Sequence, residues 1–349
     1  MRVLISAGEP SGVLLGRLLG QAIERAEPGA STDWVRIGPR PVMGFAEGLL
    51  AAPALGRTLH DAVRQARLHR PDLVVLVAYS GFNLPFGQHC RRLGVPTLYV
   101  SPPQVWAWGR ARTAVLRRAA DAVVCLFSFE ERLLRSAGVN AVCLGYPLLD
   151  SVVERLATEP AHEAARSRYL AFLPGSRPAE RAFHVPLFER TFARLRQADP
   201  GLLGLISLPQ GEAAGAGLVA VHEHRYALMR DAACAVLASG TVTLEAAVAG
   251  VPMAVSYHLS CASRAIARLL VRTPQFALPN IIAGRPIVPE MLDPTDAQLA
   301  DCLFGLLRGQ ERAAAMRRDL AEVRRRLGPG GCLDRAAVLA LDLARRPHC

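Results

Sequence analysis

The stretch AACAVLASGTVTLEAAVAGVPMAVSYH, from Ala232 to His258, decides the fold. It predicts a buried strand, a polar turn at Ser239-Gly240-Thr241, a short helix and a second strand. Glycine permits a tight turn beneath a ligand, and Thr241 or Thr243 is expected to cap the helix. Because a helix N-terminus at the carboxyl end of a parallel strand attracts anions, the stretch predicts either an anion site or an ordinary βαβ unit.

The rest of the chain repeats this alternation of strands and helices. A strand at Arg2–Ala7 runs into a glycine loop, a strongly apolar strand follows at Leu73–Ala78, and a second series begins at Tyr169. Such spacing predicts an α/β protein with two doubly wound parallel sheets. We expect a first domain over residues 1–160, with a polar linker at Glu154–Arg168. A second domain is expected over 161–328, and a C-terminal helix over 329–349 that returns to the first domain or to a partner protomer.

Composition narrows the class of protein. The chain has 349 residues, of which 51% are apolar and 20% charged, and no run reaches the ~18 apolar residues of a membrane span. The N-terminus enters a strand directly, which predicts a cytoplasmic protein. Lys plus Arg number 41 against 30 Asp plus Glu, so the net charge of +11 predicts an anionic partner. Zinc-finger and aromatic RNA-binding patterns are absent from the sequence, so we expect no nucleic acid partner.

The eight cysteines show no metal-binding spacing, which predicts reduced thiols and no bound metal. The first glycine loop, at Gly8–Gly12, does not match the GxGxxG dinucleotide pattern.

The loops together resemble the lipid-A-disaccharide synthases, a family of inverting glycosyltransferases with the two-domain GT-B architecture. The matching motifs follow the family's order: Gly8-Glu9-x-Ser11-Gly12, Phe82-Asn83-Leu84, Ser101-Pro102 with Val105-Trp106-Ala107-Trp108, Phe127-x-Phe129-Glu130, Gly145-x-Pro147-Leu148-x-Asp150, Leu173-Pro174-Gly175-Ser176-Arg177-x-x-Glu180, Ala238-Ser239-Gly240-Thr241-x-Thr243-Leu244-Glu245, and Leu278-Pro279-Asn280 through Glu290. Each motif alone is weak, and the set is specific.

The resemblance implies two Rossmann-like domains facing a cleft and transfer of a diacylglucosamine from a UDP-sugar to a glucosamine-phosphate lipid. It implies no metal and no cofactor, with Arg177 stabilising the leaving diphosphate. Ser239, Gly240 and Thr241 would hold phosphate, Glu245 or Glu290 the ribose, and Asn280 the uracil or sugar. The expected nucleotide-sugar site is therefore Gly175, Ser176, Arg177, Ser239, Gly240, Thr241, Glu245, Asn280 and Glu290.

The acceptor side departs from the family pattern. The family's Asp-x-Pro-Asp-Phe-Asn is Ala78-Tyr79-Ser80-Gly81-Phe82-Asn83 here, so the usual catalytic carboxylate position is Ala78. The family's carboxylate after Gly12 is Val13, and its His before Pro147 is Tyr146. Glu9 is the remaining carboxylate in the expected cleft and our candidate base. The other acceptor-side candidates are Gly8, Ser11, Gly12, Tyr79, Asn83, Trp106 and Trp108.

Two alternatives stay open: a UDP-sugar-binding homologue that lacks catalysis, and an enzyme like the UDP-N-acetylglucosamine 2-epimerases. An anionic membrane surface is a further expected partner, because Arg264, Arg268 and Arg272 recur at helical spacing among apolar residues. Val42–Leu50 is either a core helix or a surface for acyl chains. The expected location is cytoplasmic or peripheral on the inner face of the membrane, as a monomer or homodimer.

Overall fold

The computed structural model describes residues 1–8, 10–35, 45–108, 112–161, 168–258 and 275–346, with the backbone alone at 10, 45–54, 107 and 108. These residues form two compact units. The first contains Met1–Leu148 and the C-terminal segment that begins at Leu327, whereas the second begins at Leu149 and ends at Arg326. Each unit is built on one parallel sheet, which confirms the predicted α/β class.

The first unit has a sheet of six described strands in the order β2-β1-β3-β4-β5-β6. The strands are β1 (Arg2–Ala7), β2 (Ser31–Trp34), β3 (Leu73–Val77), β4 (Thr97–Val100), β5 (Ala122–Cys125) and β6 (Ala141–Cys143). The helices between them are α1 (Pro10–Ala26), α2 (Phe45–His69), α3 (Ser80–Arg92), α4 (Val105–Trp108), α5 (Arg112–Ala119) and α6 (Ser128–Ser136). All five side chains of β3 are buried, as a parallel strand covered on both faces requires.

The second unit has a sheet of six described strands in the order β12-β11-β10-β7-β8-β9. The strands are β7 (Tyr169–Leu173), β8 (Leu203–Ser207), β9 (Val219–Val221), β10 (Cys234–Ala238), β11 (Met253–Tyr257) and β12 (Glu290–Leu292). The helices are α7 (Leu149–Thr158), α8 (Pro178–Ala198), α9 (Arg225–Asp231), α10 (Val242–Ala249), α11 (Leu278–Ala283), α12 (Asp296–Arg308) and α13 (Gln310–Arg326).

The strand order reverses once in each sheet. In the first sheet the reversal lies between β1 and β3. Strand β2 lies on the outer side of β1, and β4, β5 and β6 follow in order on the outer side of β3. In the second sheet the reversal lies between β7 and β10. Connections leave such a pair of strands in opposite directions, so a crevice opens outside their carboxyl ends. The loops that begin at Gly8 and Ala78 border the first crevice, and those that begin at Pro174 and Ser239 border the second.

The last helix, α14 (Cys332–Ala344), packs on α1, β3 and β4 of the first unit. Its buried face includes Ala337 and Ala340, which contact the same core as α1. Tyr146 N donates to Leu327 O at 2.7 Å, and Cys332 Sγ donates to Gly145 O at 3.0 Å. These bonds fix the chain where it re-enters the first unit.

The predicted linker between the two domains was wrong. The predicted linker at Glu154–Arg168 overlaps α7, which continues to Thr158 and packs on α9 and α10, so the second unit begins at Leu149 rather than at 161. Strands β9 and β12 are three residues long, too short to show an apolar pattern in the sequence. Among the described helices, none is long and apolar enough to cross a membrane. Residues 42–44, the side chains of 45–50 and the arginines at 264–272 lie outside the described structure.

We expect Ala340→Glu to lower the free energy of unfolding by about 3 kcal/mol, because it forces a charge into the fully buried contact between α14 and α1. Val338→Glu is the matched control, since Val338 lies on the same helix with 55% of its surface exposed. Urea unfolding monitored by circular dichroism measures both variants. Equal stability of the two would contradict the packing of α14 on the first unit.

Candidate functional site

The turn after β10 borders open space. Gly240 has φ +152°, and a Cβ built there would meet nothing within 4 Å. Ser239 N donates to Ser256 O at 2.8 Å, which continues the β10–β11 ladder into the turn. Thr243 Oγ1 donates to Gly240 O at 2.7 Å, and neither Thr241 nor Thr243 accepts a capping hydrogen bond, contrary to expectation. Within the part of the chain that the structure describes, the first amides of α10 thus have no side-chain cap at an exposed glycine turn, as an anion site requires.

The turn after β7 is held by Glu180. Its carboxylate accepts from Arg177 N at 3.2 Å and from Arg177 Nη1 at 2.7 Å. Gly175 has φ +101°, and a Cβ there would lie 2.5 Å from Glu180 Oε2, so this position requires glycine. Ser176 is exposed beside it. The turn thus presents a half-buried guanidinium at the carboxyl edge, directed by its bond to Glu180.

Glu245 is buried on α10 and paired with Arg225. Arg225 Nη2 donates to Glu245 Oε1 at 2.9 Å, and Glu245 Oε2 is buried without a hydrogen-bond partner among the described residues. Burial raises the pKa of Glu245, and the nearby Arg225 and the hydrogen bond from the Tyr226 side chain oppose that shift.

Asn280 and Glu290 stabilise the surrounding loops. Asn280 is fully buried, with Oδ1 accepting from the amides of Ile287 and Val288 at 2.7 and 2.9 Å and Nδ2 donating to Val288 O at 2.9 Å. The side-chain amide of Asn280 is thus engaged by the chain, and its contact with the base or sugar stays a prediction. Glu290 Oε2 accepts from the amides of residues 276 and 277 at 3.1 and 2.6 Å.

At the first crevice, the backbone is constrained at Ala78, the position where the family pattern has a carboxylate. Ala78 and Tyr79 both adopt the left-handed conformation, with φ of 48° and 43°. Ala78 O accepts from Tyr99 Oη at 2.6 Å and from Asn83 Nδ2 at 2.9 Å. A Cβ at Gly8 would lie 2.4 Å from the ring of Tyr79, so the loop at Gly8 and the Tyr79 ring are in close contact.

Asn83 is also a structural residue. It is fully buried, Ser6 Oγ donates to its Oδ1 at 2.6 Å, and its Nδ2 donates to Val77 O at 3.0 Å. These bonds tie β1 to the end of β3, and the acceptor-side role of Asn83 stays a prediction. Gly12 is buried against the same loop, and a Cβ built there would lie 3.7 Å from the Cβ of Ala78. Ser11 is exposed.

Trp106 belongs to an aromatic cluster ordered by a buried carboxylate. Trp106 Nε1 donates to Glu130 Oε1 at 2.9 Å, and Glu130 Oε2 accepts from Leu126 N at 3.1 Å. The Trp106 ring meets Phe129 edge to face at 5.7 Å, and Phe129 stacks on Phe127. Burial raises the pKa of Glu130 to about 7. The side chain of Trp108 and the whole of Glu9 lie outside the described residues.

Sequence reasoning assigned no role to three residues that shape these loops: Glu130, Glu180 and Arg225. Glu130 and Glu180 stand three residues into α6 and α8, and the spacing of a helix-capping carboxylate was the signal available for both. Arg225 meets Glu245 from 20 positions away, and local sequence carries no signal for that pairing. In the described parts of the chain, no group of three or more His, Cys, Asp or Glu is placed to hold a metal ion.

Solved structures with this fold define the class of protein. The UDP-GlcNAc 2-epimerase of Neisseria meningitidis, bound to UDP-GlcNAc, superposes with a TM-score of 0.67 at 11% identity and covers 98% of this chain and 100% of its own. The glycosyltransferase SnogD of Streptomyces nogalater superposes with a TM-score of 0.59 at 21% identity and covers 99% of both chains. The fold is therefore that of the GT-B glycosyltransferases and related epimerases.

Sequence comparison distinguishes between the glycosyltransferases and the epimerases that share this fold. The family model described as lipid-A-disaccharide synthetase matches residues 3–327. The lipid-A-disaccharide synthase of Syntrophus aciditrophicus (strain SB) is 31% identical over 381 aligned residues, which cover 99% of both chains. The chain belongs to the lipid-A-disaccharide synthase family, and it is a lipid-A-disaccharide synthase-like hexosyltransferase, as its motifs predicted.

The pKa of Glu130 predicts how stability depends on pH. Because the folded-state pKa lies above the unfolded value of 4.5, Glu130 stabilises the fold most below that value, and this contribution is lost as pH rises through about 7. We expect the stability of the wild type relative to Glu130→Gln to fall by about 2–3 kcal/mol between pH 5 and pH 8. Urea unfolding of both proteins at each pH measures the difference. A constant difference would show that Glu130 is ionised throughout this range.

Proposed function

We propose that this protein transfers an acylated glucosamine from a UDP-sugar to a glucosamine-phosphate lipid, with inversion at the anomeric carbon. The UDP moiety binds at the crevice between β7 and β10. The observation that carries this proposal is the Gly240 turn, where open space meets the uncapped start of α10. Family membership supports the reaction, and the +11 net charge supports a lipid acceptor presented at an anionic surface.

Two side chains complete the donor half of the proposal. Arg177 lies at the end of the neighbouring strand, so its guanidinium binds the diphosphate and stabilises it as it leaves. Glu245, one turn into α10, accepts from a ribose hydroxyl through Oε2. Inversion follows when the acceptor hydroxyl attacks the anomeric carbon from the face opposite the diphosphate.

We expect Arg177→Ala to weaken UDP binding by about 1.5–3 kcal/mol, the range for loss of a charged hydrogen bond. Arg190→Ala is the matched control, because Arg190 lies exposed on α8 and away from the turn. Isothermal titration calorimetry with UDP measures both variants. Unchanged UDP affinity in a folded Arg177→Ala protein would remove Arg177 from the site.

The acceptor half lacks the usual base. A hydroxyl is a weak nucleophile near neutral pH, and general-base assistance contributes about 10²–10⁴-fold to such steps. Glu9 is the proposed substitute. The residues on either side of it support this choice, because Gly8 lies against Tyr79 and Pro10 begins α1 at the first crevice. We therefore propose slow turnover in the wild type, with Glu9→Gln abolishing it while UDP affinity is kept.

We expect Ala78→Asp to raise turnover by about 100-fold or more without changing UDP affinity. The loop backbone is already fixed by Tyr99 and Asn83, and Asp tolerates the left-handed conformation at least as well as Ala, so stability is retained. UDP release from UDP-diacylglucosamine with the diacylglucosamine 1-phosphate acceptor measures the rate.

Ser80→Asp is the matched control for this variant, because it adds the same charge two positions further on, at the first residue of α3. Wild-type turnover at the ~1–10³ s⁻¹ of ordinary enzymes would contradict the need for a carboxylate at position 78. UDP binding with no turnover in the wild type, Ala78→Asp and Ser80→Asp proteins would instead support a non-catalytic UDP-sugar-binding protein.

A further inference from the structure

His258 leaves the second sheet beside the proposed phosphate turn. Strand β11 pairs with β10 through Ala238↔Ser256 and with β12 through Tyr257↔Leu292. The amide of Ser239, which opens the glycine turn, donates to Ser256 O at 2.8 Å, two residues before His258. His258 therefore follows the strand that neighbours the glycine turn at the carboxyl edge of the sheet.

Two contacts fix the imidazole ring. His258 Nδ1 lies 2.5 Å from Asp293 Oδ1, and the ring stacks on Phe183 of α8 with centroids 3.8 Å apart and planes 13° apart. Asp293 is itself held, because its N–H donates to Tyr257 O at 2.8 Å. The carboxylate requires the proton on Nδ1, so Nε2 is the nitrogen left for a ligand. Among the described residues, Nε2 has no hydrogen-bond partner, and the side chain is 38% exposed.

Charged and aromatic groups surround the ring. Asp293 faces it from the end of β12, and the face of Phe183 also attracts a cation. His184 on α8 also interacts electrostatically with His258, and burial lowers the pKa of His184. Glu180 and Arg177 on α8 both influence the neighbouring Tyr257, and their charges oppose each other.

We propose that His258, held by Asp293 and Phe183, is a diphosphate-binding residue of the donor site, and that its Nε2–H donates to a phosphate oxygen of the bound nucleotide. This inference rests on the proposed function for the location of the nucleotide. It adds a titratable cation to a phosphate site formed by Arg177 and the start of α10. Nucleotide binding therefore draws a proton onto His258, and UDP affinity falls as pH rises.

Two isosteric substitutions separate the ring nitrogens. In His258→Asn, the side-chain amide stands where Nδ1 was and keeps the Asp293 contact, whereas nothing replaces Nε2. In His258→Gln, the amide reaches the Nε2 position as a neutral donor. Calorimetry with UDP and with uridine, in two buffers of different ionisation enthalpy at pH 6 and pH 8, gives affinities and the number of protons taken up. Thermal unfolding confirms that each variant is folded.

The expected result is an approximately tenfold loss of UDP affinity in His258→Asn at pH 6, with a smaller loss at pH 8 and no change for uridine. His258→Gln should retain most of the affinity and lose the proton uptake. Equal UDP affinity and proton uptake in wild type and His258→Asn would overturn the role of His258. If that result accompanies weakened binding in Arg177→Ala, the proposed donor site stands and this inference alone fails. If wild type does not bind UDP, the proposed function fails first.

Discussion

The point where strand order reverses is the constraint on which both units depend. Parallel strands buried on both faces leave only their ends accessible, and only at a reversal do the connecting helices diverge. In the first sheet this point joins the loops at Gly8 and Ala78, and in the second the loops at Pro174 and Ser239. The accessible strand ends at these two points therefore meet in four loops, and the rest of each sheet holds these loops in register.

Buried or partly buried carboxylates hold several loops of the two units in the same way. Glu130, Glu180 and Glu290 each accept hydrogen bonds from backbone amides at the end of a strand or the start of a helix. Amides at these places have no partner in the regular ladders, and a carboxylate satisfies them with charge-assisted bonds. Loops held in this way present functional groups without needing the ligand to order them. The side chains of Asn280 and Asn83 also hold loops by hydrogen bonds. This role explains why both residues are buried.

The sequence predicts a feature of the structure only where the residues that determine it are close together along the chain. Buried strands such as Leu73–Val77 and the strand–turn–helix at Ser239 are local patterns, so the two-sheet class and the position of the loops followed from sequence. The beginning of the second unit did not, because α7 is assigned by its packing on α9 and α10 rather than by composition. Side-chain roles were the least predictable. Arg225 with Glu245, and His258 with Asp293, are brought together by strand order across 20 and 35 positions.

The C-terminal helix has a consequence for the order in which the protein is made. Since α14 supplies part of the first unit's core, the ribosome must finish the entire second unit before the first can close its hydrophobic interior. Chains emerge from the N-terminus at about 5–20 residues per second, so the nascent first unit waits for roughly ten seconds or more with the α14-facing side of α1 uncovered. During that interval the exposed apolar surface is a target for chaperones, and truncated chains that lack α14 become substrates for proteolysis.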